Sequence, residues 1–599
     1  MTYDSKDLQE MSNAVRSAAL DAIISARSGH VGIVLGAADV ITNIYANFLR
    51  RGTDRFVLSA GHGSALLYAV LKLAGYMLPP LDTFRHINGL PGHPEFGIPG
   101  VYATTGPLGQ GVGNACGLAL AAKLRKTDGR VFCLCSDGDL MEGVAQESIA
   151  FAGRYKLNNL VLVWDDNGIS IDGAAQTDID VPERMRAAGW HVISVDGHDY
   201  DAVSSALAQV YRHDAPVFIQ AKTKIGRGIP SIEGTSRAHG LGIGIDELRA
   251  AADALRSENG MQLWDEFAEI TTGDDNAISA WPVIDMHDVV MSQTIGDETS
   301  TRELSGKFLE SLLAHGADLI VGSADLGGST NVKSSASREI MPGDFDGDYI
   351  NYGVREHAMG AVMNGLAAAG MRPVGSTFLV FSDYMRPSIR IAALSGLPVI
   401  YVLTHDSIAV GEDGPTHQPI EQLPSLRLMP NLNVFRPCNG AEVAAAWTFA
   451  LSDTSRPSCI ILSRQKVRQV ATPTAADLSR GAYVIRPAVG NNVRLTLVAT
   501  GSEVPLAIDV AARLGDGVQV VSMPCVSQFR MQSDDYKNKM LRGYVVAIEA
   551  AASAAWFEFA DAVAGLDEFG ASGGGGAVYR QCGFDVDTIA AQISEAMKD

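Results

Sequence analysis

Asp137 and Asn167 stand 30 residues apart, each just past a run of apolar residues. One offers a carboxylate, the other an amide oxygen. Together they make a hard-oxygen site with too few ligands and too little charge to hold a divalent cation alone. Mg2+ accepts such a site, because it takes one or two protein oxygens and completes its octahedron with phosphate and water. The pair therefore reads as half of a site whose other half is a phosphorylated cofactor. Asp-Gly and Asn-Gly are also ordinary turns after strands, so it is the pairing that points to chemistry. A second group of residues is the histidines. His30, His62, His93 and His239 each sit beside glycine, and His405 and His417 flank an unusual loop. Glycine permits tight loops at a pocket wall, and neutral imidazole both donates and accepts hydrogen bonds, which suits sugar hydroxyls. No His-Glu-x-x-His or Cys/His spacing supports a zinc site.

The elements that must position these residues are legible in the apolar pattern. Val131 to Cys135 and Leu160 to Trp164 are short apolar runs, and the pattern predicts a helix between them over about 141–156. Strand, helix, strand is a parallel crossover unit. It delivers both oxygens to the carboxyl ends of strands, where open α/β sheets bind ligands. Upstream lie a helical pattern over 8–27, a short strand ending at the Gly-flanked His62, and the Gly-rich turn Thr104 to Gly111 opening another helix. Such a turn suits close backbone approach to phosphate. Strands and helices alternate again from Arg302 to about Arg468, with strand ends at Asp325 and His405. They alternate a third time with strands at 493–499, 518–523 and 545–549. Glycines 573–576 are expected to break a helix near the end. The expected fold is α/β, in three domains, each with a mostly parallel sheet and helices on both faces. The expected boundaries are 1–270, a polar linker over 271–300, then 301–470 and 485–599.

The chain has 599 residues, 47% hydrophobic and 19% charged, with a net charge of −21. That acidic balance argues against nucleic acid or an anionic membrane as the main partner. Anionic substrates would need a local basic cluster to override it. No apolar run approaches the length of a membrane span, and no leader pattern opens the sequence. The seven cysteines include no Cys-x-x-Cys pair. Buried thiols in a reducing cytoplasm are the expectation. A dehydrogenase reading fails, because no Gly-x-Gly-x-x-Gly follows the first strand.

Ser136-Asp137-Gly138 followed by Asn167 resembles the metal-diphosphate motif of thiamine diphosphate enzymes. The wording from Asp137 to Gly143 and from Asp165 to Gly173 resembles the transketolases in particular. The resemblance runs on through Ser28 to Gly32, Ala60 to Gly63, Pro91 to Phe96, Thr104 to Gly111, Ala238 to Gly240, Tyr352 to Gly360, Gly411 to His417 and Ala499 to Glu503. It departs at Val31, Ala60 and Ser136, where the family usually has Pro, Asn and Gly, and in the glycine run 573–576.

This resemblance implies a thiamine diphosphate-binding fold and thiamine diphosphate with Mg2+ (or Ca2+) as cofactors. It also implies a homodimer with active sites at the subunit interface. The implied metal ligands are Asp137, Asn167 and the Ile169 carbonyl. His62, Gly106, Leu108, Gly138, Glu142, His239 and Asp325 join Asp137 and Asn167 around the cofactor, with Glu142 connecting paired sites. Phe378, Phe381 and Tyr384 hold its aminopyrimidine ring, though alone they would read as a core stripe. Glu356 is the activating acid, whose carboxyl group meets the far ring nitrogen, and it should be buried with a raised pKa. The catalytic set is Glu356, His417, His30 and His239. The substrate set is His30, His93, His239, Arg302, Ser329, His405, Asp413, His417 and Arg464, with Arg302, Ser329, His405 and Arg464 on the substrate phosphate. The implied reaction, in the pentose phosphate pathway, moves a two-carbon ketol unit between sugar phosphates. Xylulose 5-phosphate or fructose 6-phosphate is the donor, and ribose 5-phosphate or erythrose 4-phosphate the acceptor. Dihydroxyacetone synthase, with formaldehyde as acceptor, stays open as a relative with much the same donor and cofactor residues.

Overall fold

The apolar run at Val131 forms a strand whose six residues are all buried. Strands covered on both faces read as continuous apolar runs, without polar alternation. In this computed structural model, which describes residues 2–597 apart from 178–179, 272, 274–280, 282–296, 474–477 and 491, that strand lies in the first of three main sheets. The sheet comprises β1 (Arg55–Leu58), β2 (Val131–Ser136), β3 (Leu160–Asp166), β4 (His191–Asp196) and β5 (Val217–Lys222). Their order is β1-β2-β3-β5-β4, parallel throughout. Ser136 pairs with Asp165 across β2 and β3, so Asp137 and Asn167 leave neighbouring strand ends together. Residues 1–280, 340–347 and 360–371 form one compact unit around this sheet.

The predicted helix over 141–156 is two helices. Asp137–Met141 starts immediately after β2, and Gly143–Tyr155 follows. Ser136 and Asp139 form a reciprocal capping box that starts the first helix at Asp137, satisfying amides that would otherwise be orphaned. Extended Glu142 (φ −68°, ψ 136°) breaks the run.

The other compact unit holds residues 281–339, 348–359 and 372–599. Its first sheet has β6 (Ile320–Ser323), β7 (Tyr349–Asn351), β8 (Pro373–Phe378), β9 (Ile400–Thr404), β10 (Asn433–Phe435) and β11 (Ser458–Leu462). They run parallel in the order β7-β6-β8-β9-β11-β10. Its second sheet has β12 (Tyr483–Arg486), β13 (Leu495–Ala499), β14 (Val518–Ser522), β15 (Tyr544–Ile548) and β16 (Ala562–Ala564). The order is β12-β14-β13-β15-β16, with only β12 antiparallel to its neighbour. A buried ion network joins the two sheets. Arg436, past the end of β10, meets Asp406, Glu503 and Glu549, and Arg427 grips Glu549 with two nitrogens.

The α/β class with mostly parallel sheets is as expected. The glycine run differs. Gly574 is a helix N-cap, and Gly575–Gln581 is helical, so the run opens a helix where a break was expected. Most of the expected linker lies outside the described residues. Its last residues, Glu298–Thr299, pair with Val467–Arg468. Among the described residues no helix is long and apolar enough to cross a membrane.

Candidate active site

A cavity of about 420 Å3 opens at the carboxyl ends of β2 and β3. Its lining includes His30, His62, His93, Gly106, Leu108, Asp137, Gly138, Asn167, Ile169 and His239. Asp137 is 3% exposed, and its buried Oδ2 has no hydrogen-bond partner. Burial first, then the charges of Asp165 and Asp166, push its carboxyl up to about 7. Asn167 is held at both ends of its amide. Its Nδ2 donates to Asp165 Oδ2 at 2.9 Å, and its Oδ1 accepts from the Ile169 amide at 3.0 Å. Asp165 in turn accepts from the Thr223 hydroxyl. Asp139 ties the Gly-rich turn to the strand end, accepting from Ser59 Oγ at 2.6 Å, the Gly109 amide at 2.7 Å and the Ser136 amide at 2.9 Å. The turn needs its glycines. Gly106 sits at φ +131°, and a β-carbon on Gly109 (φ +79°) would lie 2.8 Å from side-chain carbons of Glu142 and Val144.

The donor set can hold a hard cation only with help. Among the described residues no group of three or more His, Cys, Asp or Glu is arranged to hold a metal ion by itself. One orphaned carboxylate oxygen with amide and carbonyl oxygens nearby suits a cation that brings phosphate and water with it.

The four histidines of this unit meet around one space. The His30 ring centre lies 5.3 Å from His62, 6.2 Å from His93 and 5.6 Å from His239, and His62 stacks on His239 at 5.2 Å. Burial first, then neighbouring rings, lower His62 to about 3; burial, then Arg85 and neighbouring rings, lower His30 to about 4. His93 and His239 are lowered by burial as well. All four are thus neutral near pH 7. Arg85 is a residue that sequence reasoning missed. It sits at φ +60°, with Nη2 3.2 Å from His30 Nδ1 and Nη1 2.6 Å from Ser28 Oγ. Arginine only donates, so His30 accepts at Nδ1 and carries its proton on Nε2. Nothing in the wording Phe84-Arg85-His86 announced this, because it depends on a left-handed backbone that turns the chain back.

The second unit holds the other expected residues. Glu356 begins the helix Glu356–Ala368 and is 8% exposed. Thr377 Oγ1 donates to its Oε1 at 3.1 Å, while burial raises its pKa. A chain of rings lies near the carboxyl ends of β8 and β9. Phe378 stacks on His405 at 3.6 Å and on Phe381 at 5.9 Å, Phe381 meets His417 edge-on at 5.2 Å, and Tyr384 lies 6.1 Å from Phe381. Tyr384 is 65% exposed, which excludes a plain core stripe.

Reciprocal hydrogen bonds between Thr301 and Ser463 bring Arg302 and Arg464 together. Arg302 Nη1 donates to the Ser329 carbonyl at 2.6 Å, and its Nε is buried without a partner. Burial, then the charge of Arg464, lowers Arg302. Burial, then Arg302, Arg464 and His417, lowers His405 to about 3. Two guanidinium groups beside a neutral imidazole suit a bound phosphate. This is the local basic cluster that a chain of net charge −21 requires for anionic substrates. Glu142, Asp325, Asp413 and Ser329 are exposed, and none of them is in the lining of the cavity.

The chain matches three family sequence models. They are the transketolase thiamine diphosphate binding domain over residues 8–277, the transketolase pyrimidine binding domain over 297–470, and the transketolase-like C-terminal domain over 481–585. A transketolase of Sinorhizobium medicae is 39% identical over 98% of this chain and 94% of its own length. The solved transketolase of Campylobacter jejuni superposes with a TM-score of 0.89 at 36% identity, covering 99% of this chain and all of that one. A Pichia stipitis transketolase, solved with sedoheptulose 7-phosphate, gives a TM-score of 0.86 at 34% identity over 99% and 97% of the two chains.

Proposed function

The chain belongs to the transketolase family and functions as a transketolase in sugar phosphate metabolism, and on that premise we propose which residues carry the reaction and on what substrates. Its thiamine diphosphate is held with Mg2+ or Ca2+ at Asp137, Asn167 and the Ile169 carbonyl. The orphaned Asp137 Oδ2 at a strand end beside Asn167 is the observation that carries this reading. When bound, the cofactor supplies a nucleophilic thiazolium carbon and an electron sink for the two-carbon fragment.

The chain's own residues do the rest. His62, Gly106, Leu108 and Gly138 line the diphosphate end, and Glu142 connects paired sites. Phe378, Phe381 and Tyr384 grip the aminopyrimidine by stacking and edge contacts, with Asp325 near it. Glu356, whose pKa burial raises, would be the acid that meets the far ring nitrogen of the aminopyrimidine. His30 and His239 are neutral; they hold sugar hydroxyls and exchange protons with them, His30 donating from Nε2. His93 adds a further hydroxyl contact. His417 serves the reacting carbon, Asp413 reads a substrate hydroxyl, and Arg302, Ser329, His405 and Arg464 hold the phosphate.

The donors are xylulose 5-phosphate and fructose 6-phosphate, and the acceptors ribose 5-phosphate and erythrose 4-phosphate, in the pentose phosphate pathway. Pichia stipitis transketolase variants have been solved with xylulose 5-phosphate and with fructose 6-phosphate, which supports this choice. Initial rates with ribose 5-phosphate against formaldehyde test it. A preference for formaldehyde would assign the chain to dihydroxyacetone synthesis instead.

The proposal extends to domains, assembly and place. The domains divide at 1–270, 301–470 and 485–599, and the enzyme works in the cytoplasm. Two copies form a two-fold dimer, each site taking Asp137 from one chain and Glu356 from the other. Mixing Asp137→Ala chains with Glu356→Ala chains tests the shared site. Random exchange makes about half the dimers mixed, each with one intact site, so about a quarter of parental activity returns. Activity that stays at the single-mutant level rejects sharing.

A further inference from the structure

The loop from His405 to Gln418 carries three of the substrate residues named above, and it rests on the segment 570–575 at the far end of the chain. The two meet backbone to backbone. A β-carbon on Gly411 (φ +78°) would lie 3.0 Å from both the Gly573 carbonyl oxygen and the Gly575 nitrogen. One on Gly575 would lie 2.8 Å from the Ala409 carbonyl oxygen and 3.2 Å from its Cα. Gln418, 2% exposed, clasps the contact, with Nε2 donating to the Gly411 carbonyl at 3.1 Å and the Ala571 carbonyl at 2.9 Å. The glycines of the run are not equivalent. A β-carbon on Gly574 meets nothing within 4 Å, and one on Gly576 meets only the end of Arg580 at 3.8 Å.

We propose that Gly575 and Gln418 are positioning residues for the substrate loop, the glycine setting its distance from the third sheet's domain and the glutamine its tilt, so that Asp413 meets the substrate in register. The inference rests on the role given to Asp413 above. The physical basis is the unforgiving geometry of close backbone packing. Interiors are packed without slack, so a single added methyl group moves the loop by tenths of an ångström. The Gly575 backbone is not left-handed, and alanine is the better helix former. Gly575→Ala therefore perturbs the contact without straining its own helix.

The test uses the full-length enzyme with thiamine diphosphate and Mg2+. Gly575→Ala should lose roughly 5- to 20-fold in kcat/KM, since an ångström of misplacement costs about 100-fold. Gly574→Ala and Gly576→Ala should keep the parental value. In an Asp413→Asn background the added loss from Gly575→Ala should shrink to under about twofold, because coupled residues are non-additive. Gln418→Met, which keeps the side-chain volume and removes the donor, should give the same pattern and substitutes if Gly575→Ala fails to fold. Parental kcat/KM in both Gly575→Ala and Gln418→Met overturns the brace. So does an equal loss in both backgrounds, which general destabilisation would give. Full activity in Asp413→Asn alone overturns the role of Asp413, and with it this inference.

Discussion

Asp39 and Asp137 lie in the same unit at nearly the same depth, 1% and 3% exposed, yet their environments act in opposite directions. Asp39 is ringed by Arg16, Arg227 and His198 and accepts from Ser12 and Tyr200. Against the cost of burial, His198 and Arg16 hold its carboxyl far below the usual range. Asp137 has no cation beside it, and its carboxyl rises. The second unit repeats the contrast. Glu549, with Arg427 and Arg436, falls to about 2, whereas Glu356, with one threonine hydroxyl, rises. Buried charge answered within the chain is architecture. Buried charge left unanswered marks where a ligand supplies the answer.

Removing an answered charge should damage the fold most. Asp39→Ala leaves Arg16 buried and unpaired, and should cost about 3–5 kcal/mol of unfolding free energy with kcat/KM of the folded enzyme unchanged. Urea titration and initial rates measure both, and a catalytic loss without destabilisation would break the contrast. Glu356→Ala should do the reverse. It should bind cofactor and keep its melting temperature while activity and exchange of the thiazolium C2 proton, followed by NMR, fall at least about 100-fold. Parental exchange would remove Glu356 from its role. Arg464→Ala, on the unanswered basic cluster, should weaken phosphorylated donors by about 1.5–3 kcal/mol and barely touch an unphosphorylated ketose. Equal losses on both would refute a phosphate clamp.

The smallest effect is one of pH. His62 is held at about 3, against 6.5 for a free imidazole. The folded chain then binds fewer protons than the unfolded one between those values, so its stability rises with pH across that window. The contribution is complete above 6.5 and is lost as pH falls through about 3. In the cofactor-free enzyme His62→Asn should flatten this acid limb. Urea midpoints at about pH 4.5 and about pH 7 would show it, and an unchanged slope would count against the buried neutral ring.

Strand ends were legible in the sequence because buried parallel strands are continuous apolar runs that stop where polar side chains begin. That is why Asp137, Asn167, Asp325 and His405 could be placed at strand ends before any fold was known. Helix starts were less so. The predicted helix missed the one opening at Asp137, because a capping box and the break at Glu142 act through hydrogen bonds and not through periodicity. The partners of Asp39 lie up to 188 residues away, and Arg85 depends on a positive φ. Neither leaves a local pattern. The glycine run read as a helix breaker because its purpose, a close approach to Gly411, is a contact across more than 150 residues.

The most direct test of the claim that Asp137 is left unanswered for a cation is the thermal shift on adding thiamine diphosphate with Mg2+. Ligands that bind only the folded state raise its stability, by about 2.7 kcal/mol at a hundredfold excess over Kd. The parental chain should melt several degrees higher with both ligands present. Asp137→Ala should melt at or above the parental temperature without ligand, having lost a buried unpaired carboxyl group, and should not shift when both are added. A bare Asp137→Ala chain that is less stable than the parent, or one that shifts as far as the parent does, would contradict the account.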